Sequence, residues 1–255
     1  MTSDEKSCLV RFLDMTGDYL RDGYRRERGL YVFMDDPPLP SSLEETASEV
    51  EHCTACPLAG GRTRGVPGEG VPEPLVLVVG EGPGADEDAT GRPFVGKAGQ
   101  LLDRILSGIG LSRDRNCFIA NVVKCRPPGN RDPLPMEITA CLPFLERQID
   151  LLKPLVILAL GRVSANILLG DDRGIGKLRG YFTGYRPRNA VSPAIPLLAT
   201  YHPSALLRDE TLKRPVWEDM KLLMGKLEDL DPLYAEAIRD LPVKGSGSRQ
   251  EAQEG

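Results

Sequence analysis

Residues 75–110 read LVLVVGEGPGADEDATGRPFVGKAGQLLDRILSGIG, and the order of the patterns within them decides the fold. LVLVV at 75–79 is a short aliphatic run that ends in a glycine-rich turn. Over 98–110, Leu101, Leu102, Ile105, Leu106 and Ile109 recur at helical spacing and a glycine closes the segment. A short apolar strand followed by an amphipathic helix is the signature of a parallel α/β sheet. Further along, CFIAN at 117–121 reads as a second strand. A helix is predicted over 136–152, with Ile138, Leu142, Leu145, Ile149 and Leu152 on its inner face. Pro154 then precedes the strand LVILAL at 155–160, VSANILL forms a short helix, PLLAT at 196–200 is the fourth strand, and a last helix covers about 215–227. Residues 170–192 are glycine-rich and carry no clear period. The expected fold class is α/β, a four-stranded, mainly parallel sheet sandwiched by helices.

Outward from this core, DDPPLPSS at 35–42 reads as a proline-rich linker, and Ser42 with Glu45 forms a capping-box start for a helix. The expected organisation is an N-terminal appendage and linker over 1–41, a core domain over 42–230, and a C-terminal tail over 231–255. The small polar end of that tail, KGSGSRQEAQEG, reads as disordered. The 255 residues are 41% hydrophobic and 27% charged, enough apolar material for one sizeable core. No apolar run approaches the roughly 20 residues of a membrane span, and the first residues lack a secretory pattern. A cytoplasmic monomer without membrane contact is the expectation. The net charge of −5 averages unlike segments: residues 1–52 hold 6 Lys and Arg against 12 Asp and Glu, residues 53–223 hold 22 against 18, and residues 224–255 hold 4 against 7. The basic middle, with Arg104, Arg113, Arg115, Lys124, Arg126 and Arg131 close together in sequence, leaves a nucleic-acid partner open.

Four of the six cysteines fall as Cys53-x2-Cys56, Cys125 and Cys141; Cys8 and Cys117 stand outside. Four thiolates can close a zinc site or an iron–sulfur cluster, and spacing does not decide between them. Only the first pair is local, which leans away from structural zinc. Buried core cysteines beside a chance C-x2-C are the plain alternative. After the first strand, Gly80-Glu81-Gly82-Pro83-Gly84 lies where open α/β sheets bind ligands. It departs from the dinucleotide fingerprint, and Asp86, Glu87 and Asp88 put negative charge where a pyrophosphate would sit. Asn121 closes the second strand, His202 follows the fourth, and Phe94 lies in the loop after the first. All three are expected on one edge of the sheet. Asn presents donors and an acceptor in one plane, the complement of a nucleobase edge.

The segments GEGPG, GRPFVGKAGQLLD, NVVKCRPPGNRDP, ALG and HPSALLR, in unbroken order over about residues 50–225, resemble the iron–sulfur-containing (family 4) uracil-DNA glycosylases. The resemblance implies a uracil-DNA glycosylase-like three-layer fold and a [4Fe-4S] cluster on Cys53, Cys56, Cys125 and Cys141. It further implies that Phe94 stacks on a flipped uracil, Asn121 reads its edge and His202 faces its O2 oxygen. The reaction implied is hydrolysis of the N-glycosidic bond in uracil-containing DNA. Donors aimed at the departing base suit it, and His202 with the backbone around Gly80 and Gly82 could supply them. HPSALLR offers Ser204 for a phosphate, Leu206 or Leu207 for the vacated stack and Arg208 for backbone charge. The better-known uracil glycosylases place an aspartate where this chain has Gly82, an absence shared with family 4. Glu81 and Glu87 are then the candidates to position the water. A non-catalytic iron–sulfur DNA-binding protein, a polymerase-associated accessory protein and a nucleotide-binding doubly wound protein are the competing readings.

Overall fold

The computed structural model describes residues 42–186 and 194–239; the expected appendage over 1–41, residues 187–193 and the KGSGSRQEAQEG end lie outside the described residues. The chain order is helix α1 (Leu43–His52), strands β1 (Glu69–Gly70) and β2 (Val76–Gly80), helices α2 (Ala85–Thr90) and α3 (Lys97–Ser107), strand β3 (Cys117–Asn121), helix α4 (Pro135–Leu152), strand β4 (Val156–Leu160), helices α5 (Gly161–Leu169) and α6 (Ile175–Leu178), strands β5 (Phe182–Tyr185) and β6 (Ile195–Thr200), and helices α7 (Pro203–Arg208), α8 (Lys213–Leu230) and α9 (Pro232–Arg239). At the start of α1 the Ser42 side chain accepts from the Glu45 N–H at 3.1 Å, the cap expected there.

The sheet has six strands in the order β1-β3-β2-β4-β6-β5, with β3, β2, β4 and β6 parallel to one another. These four are the strands read from sequence. Every residue of β2, β3 and β4 is buried, because helices cover both faces. Strand alternation sends Leu77, Val79, Ile157 and Ala159 to one face, against Leu145 and Ile149 of α4. Val76, Val78, Val156 and Leu158 go to the other, against Leu102 and Leu106 of α3 and Met220 and Leu223 of α8.

Two edge strands extend the predicted four. β1 is two residues long and pairs antiparallel with β3; Gly68 before it has φ 136° and Gly70, its second residue, φ 154°. β5 pairs antiparallel with β6 inside the stretch that lacked a period. Neither edge buries a full face, so neither carries the alternation by which a strand is read. Beyond residue 230 the packed structure continues through α9, where buried Tyr234 donates its hydroxyl to the Ile109 carbonyl at 2.6 Å.

From β2 the chain passes to β3 on one side and later to β4 on the other. The carboxyl end of β2 is therefore the switch point of the sheet, where a crevice opens. Gly80 is in register with Asn121 across that end, and Leu160 with Thr200. No helix of the described residues is long and apolar enough to cross a membrane.

Candidate active site

A cavity of about 450 Å³ sits in that crevice, lined by Glu81, Gly82, Glu87, Phe94, Asn121, Arg131, Arg162, His202, Ser204 and Arg208 among others. Asn121, Phe94 and His202, far apart in sequence, converge here because each follows or ends a parallel strand. Asn121 is 1% exposed and its Oδ1 has no hydrogen-bond partner. A buried amide oxygen left unpaired is costly, so this group is poised for a donor from a ligand. Gly80 makes room for it: a β-carbon there would collide with Asn121 Oδ1 and lie 2.6 Å from the Phe94 ring. Gly82 is equally tight, since its β-carbon would lie 2.8 Å from Val123. No carboxylate-bearing side chain fits at that position without displacing Val123.

Phe94 is 6% exposed, and its ring centroid lies 5.6 Å from that of His202. Its backbone is left-handed at φ 54°, a conformation that costs a non-glycine residue roughly 1–2 kcal/mol. His202 caps the short helix α7. Its Nδ1 accepts from the Ser204 N–H at 3.2 Å and lies 2.8 Å from the Ser204 hydroxyl, which donates to it. With Nδ1 accepting, the neutral ring carries its proton on Nε2. Burial, reinforced by Arg208, lowers the His202 pKa to about 4, so the ring is neutral at physiological pH. Gly161, at φ 87°, opens α5 and lets His202 approach, because a β-carbon there would lie 2.9 Å from the His202 β-carbon. Behind the histidine, buried Asp219 accepts from Thr200 Oγ1 at 2.5 Å and from both Nε and Nη2 of Arg179, whose guanidinium lies 5.6 Å from the Tyr201 ring centre.

The two acidic candidates differ in what they touch. Glu87 Oε1 accepts from the amides of Val95 and Gly96 at 2.8 and 3.0 Å, and Oε2 from Gly84 at 3.1 Å. Glu81 lines the same cavity, and burial raises its carboxyl pKa, with the charge of Asp132 adding to the effect and Arg162 opposing it.

The leucine pair is also separated. Leu206 is 2% exposed and packs in the core, so it is not available to DNA; Leu207 is 49% exposed. The basic stretch read from sequence is less available than its charge suggested. Lys124 is 1% exposed, donating to the Asn121 carbonyl at 2.9 Å and to Gln148 Oε1 at 2.6 Å. Arg113 is nearly buried, and Arg131 forks onto the buried Glu137 carboxylate at 2.7 and 2.9 Å. Long basic side chains partnered in this way are part of the fold rather than of a free phosphate-binding face. Arg131, Arg162 and Gly161 on the cavity wall, and the Arg113 and Lys124 anchors, were not singled out as site residues from sequence. Only the glycine of ALG carried a local signal.

Beside this site, Cys53, Cys56, Cys125 and Cys141 line one small cavity together with Val50, Ala59, Arg62 and Phe144. All four are free thiols, and Cys117 lies apart in β3; Cys8 falls outside the described residues. Cys125 Sγ accepts from Arg62 Nη1 at 2.9 Å and Cys141 Sγ from the Lys124 amide at 3.1 Å. Burial pushes the Cys141 thiol up to about 11 and raises that of Cys125. Among the described residues, no three His, Cys, Asp or Glu side chains close around a single ion. A zinc site would draw four sulfurs to within about 2.3 Å of one point. Four converging thiols ringing a cavity, three of them with N–H donors, suit a larger polynuclear group with one sulfur per metal.

Comparison with known proteins agrees with this geometry. A profile of the uracil DNA glycosylase superfamily matches residues 67–221. The type-4 uracil-DNA glycosylase of Sulfurisphaera tokodaii is 46% identical over 187 residues, covering 71% of this chain and 82% of that protein. Those of Pyrobaculum aerophilum and Saccharolobus solfataricus are 44% and 43% identical, covering 74% and 71% of this chain and 98% and 84% of theirs. With a parallel-sheet crevice, an orphaned asparagine facing a phenylalanine, and relatives of this closeness over most of their length, the chain belongs to the uracil DNA glycosylase superfamily, among its type-4 members.

Proposed function

We propose that this protein removes uracil from DNA, flipping the nucleotide into the cavity and hydrolysing its N-glycosidic bond to leave free uracil and an abasic site. The observation that carries the reading is the unpaired Oδ1 of buried Asn121 in a cavity walled by Phe94. A planar amide there matches the alternating donors and acceptors of a uracil edge, whereas cytosine reverses the order on part of its edge. Phe94 supplies the aromatic face on which the flipped base stacks.

Bond cleavage leaves negative charge on the base and positive charge on the sugar. A neutral His202 with its proton on Nε2 donates to the uracil O2 as charge grows there, and helps the transition state more than the ground state. The backbone at Gly80 and Gly82 lets the base approach closely. Glu81 is assigned to the water and the cationic sugar, because both residues line the cavity but the two oxygens of Glu87 already accept backbone amides. Leu207 fills the vacated stack and Arg208 contacts the phosphates, whereas the N–H and hydroxyl of Ser204, expected on a phosphate, both serve His202 Nδ1.

Cys53, Cys56, Cys125 and Cys141 would hold a [4Fe-4S] cluster. When bound, it contributes structural cross-linking between the segment after α1 and the β3–α4 connection. The catalytic unit spans residues 42–230 with α9 packed on it, acting as a monomer on uracil-containing DNA. The test is release of uracil from a uracil-containing oligonucleotide, read as strand scission after alkaline treatment. Cleavage of U:G duplex with no cleavage of the matching C:G duplex is the expected result. Binding of that DNA without scission would refute the reading.

A further inference from the structure

The loop carrying Phe94 is held by two groups of opposite charge that reach it from different elements. Glu87 accepts the amides of Val95 and Gly96 at 2.8 and 3.0 Å. Arg113, from the turn before β3, donates to the carbonyls of Pro93 at 2.9 Å and Phe94 at 3.1 Å. One guanidinium thus grips two successive carbonyls, and the peptide between them leads into the one residue of the loop that is non-glycine at positive φ. Its planar fork suits that task in a way a lysine ammonium does not. The fork is itself held in place, by Asp103 Oδ1 at 2.8 Å and Glu69 Oε2 at 3.3 Å, and the side chain is 10% exposed. From the other side, Gly99 of α3 admits the loop only because it lacks a side chain; a β-carbon there would overlap the Phe94 carbonyl.

Three roles can be set against one another for Arg113. A phosphate contact is disfavoured by its burial and by the acceptors already on it. A simple ion pair with Asp103 and Glu69 would not require the carbonyls. The remaining role concerns the left-handed conformation of Phe94, which no local hydrogen bond of a phenylalanine side chain can stabilise.

We infer that Arg113 is a positioning residue for base recognition: by gripping the Pro93 and Phe94 carbonyls it holds Phe94 left-handed, with its ring against Gly80 and His202, ready to stack on the flipped base. This inference rests on the uracil reading above. A base-stacking ring displaced by about an ångström loses rate steeply even when every catalytic group is intact.

The test is single-turnover uracil release by the full chain, with Arg113→Ala, Arg113→Lys, Phe94→Ala and the double variant Arg113→Ala/Phe94→Ala, each beside a thermal melt. Arg113→Ala and Arg113→Lys should each slow release about 10- to 100-fold and weaken inhibition by free uracil about 10-fold. In the Phe94→Ala background, removing Arg113 should cost less than about twofold, because the two act through one contact. Lys221→Gln, which loses only an exposed pair to Glu218 on α8, should stay within about threefold of wild type. Equal fold-losses in the two backgrounds would overturn the inference, as would Arg113→Lys within about threefold of wild type. If Arg113→Ala does not fold, Arg113→Lys decides, since it keeps the charge but not the fork. A wild-type chain that releases no uracil refutes the functional reading itself, whereas an active wild type with Arg113 independent of Phe94 refutes only this role.

Discussion

The base cavity and the cysteine cavity share one short segment, residues 121–127, yet they are built on opposite principles. Asn121 and Pro127 line the first; Lys124 and Cys125 line the second. In the base cavity the protein supplies many partners itself: Ser204 bonds His202, three amides bond Glu87 and Arg113 bonds the Phe94 carbonyl, while the buried Asn121 Oδ1 has no partner among the described residues. Such preorganisation means that little must be rearranged when charge develops. In the cysteine cavity burial works against ionisation of Cys125 and Cys141, and the protein supplies only isolated N–H donors. On the proposed reading the second site would gain its stability from a bound cluster, while the first is largely built in advance. Loss of a residue should register as rate in one and as folding in the other.

The largest expected effect would break this contrast if it failed. His202→Ala should slow the chemical step about 100-fold or more, and Asn121→Ala should cost about 2–4 kcal/mol of transition-state stabilisation, with melting temperatures little changed. Asn121→Asp should be slower still, because a carboxylate repels the departing base anion. Single-turnover kinetics beside thermal melts measure both quantities. A lower melting temperature with an unaltered rate for His202→Ala would make that histidine a turn-packing residue.

Cys125→Ala probes the other cavity. The purified wild-type chain should be brown and carry about four irons, and the variant should lose iron and melt several degrees lower. Metal analysis and calorimetry decide it: one zinc per chain with no colour, or a variant with full iron and full stability, removes the ligand assignment. Lys124→Met sharpens the comparison because Lys124 joins the two sites: its ammonium donates to the Asn121 carbonyl and to Gln148, and its backbone amide to Cys141 Sγ. Leaving the ammonium's buried acceptors unpaired should cost about 1–3 kcal/mol in a denaturant melt. A rate loss as large as that of Asn121→Ala would instead tie Lys124 to the chemistry.

The smallest effect is the pH profile. With its folded pKa near 4, His202 is neutral across the working range, so the rate should show no titration at the ordinary histidine value of about 6.5. Acid inactivation should follow Glu81, whose burial raises its pKa: activity falls as the pH drops through a value above 4.5 and the carboxylate is protonated. Glu81→Gln should abolish that acid limb. Because the folded pKa of His202 is depressed, its contribution to stability is full above about 6.5 and is lost as the pH falls towards 4. A wild-type rate that halves near 6.5 would show that the imidazole takes up a proton during the cycle.

The four parallel strands, the helices between them, the cysteine spacing and the three residues at strand ends were all legible in the chain. Each depends on local periodicity or on the rule that parallel strands align their carboxyl ends. Tertiary structure alone decided the rest. Leu206 and Leu207 are adjacent and chemically alike, and only the packing of α7 against α3 buries one and exposes the other. Arg113 and Lys124 read as surface charge, but both turn inward, Arg113 to the Pro93 and Phe94 carbonyls and Lys124 to Gln148 of α4 as well as to the nearby Asn121 carbonyl. Glu81 and Glu87 are six positions apart and both line the cavity, yet the loop after α2 folds its amides onto Glu87 and not onto Glu81. The edge strands β1 and β5 take their conformation from a neighbour's unpaired backbone rather than from their own residues. Periodicity records which face of an element is apolar; a polar side chain's role is set by whichever partner the completed fold places within hydrogen-bond reach, and that distance is not a property of local sequence.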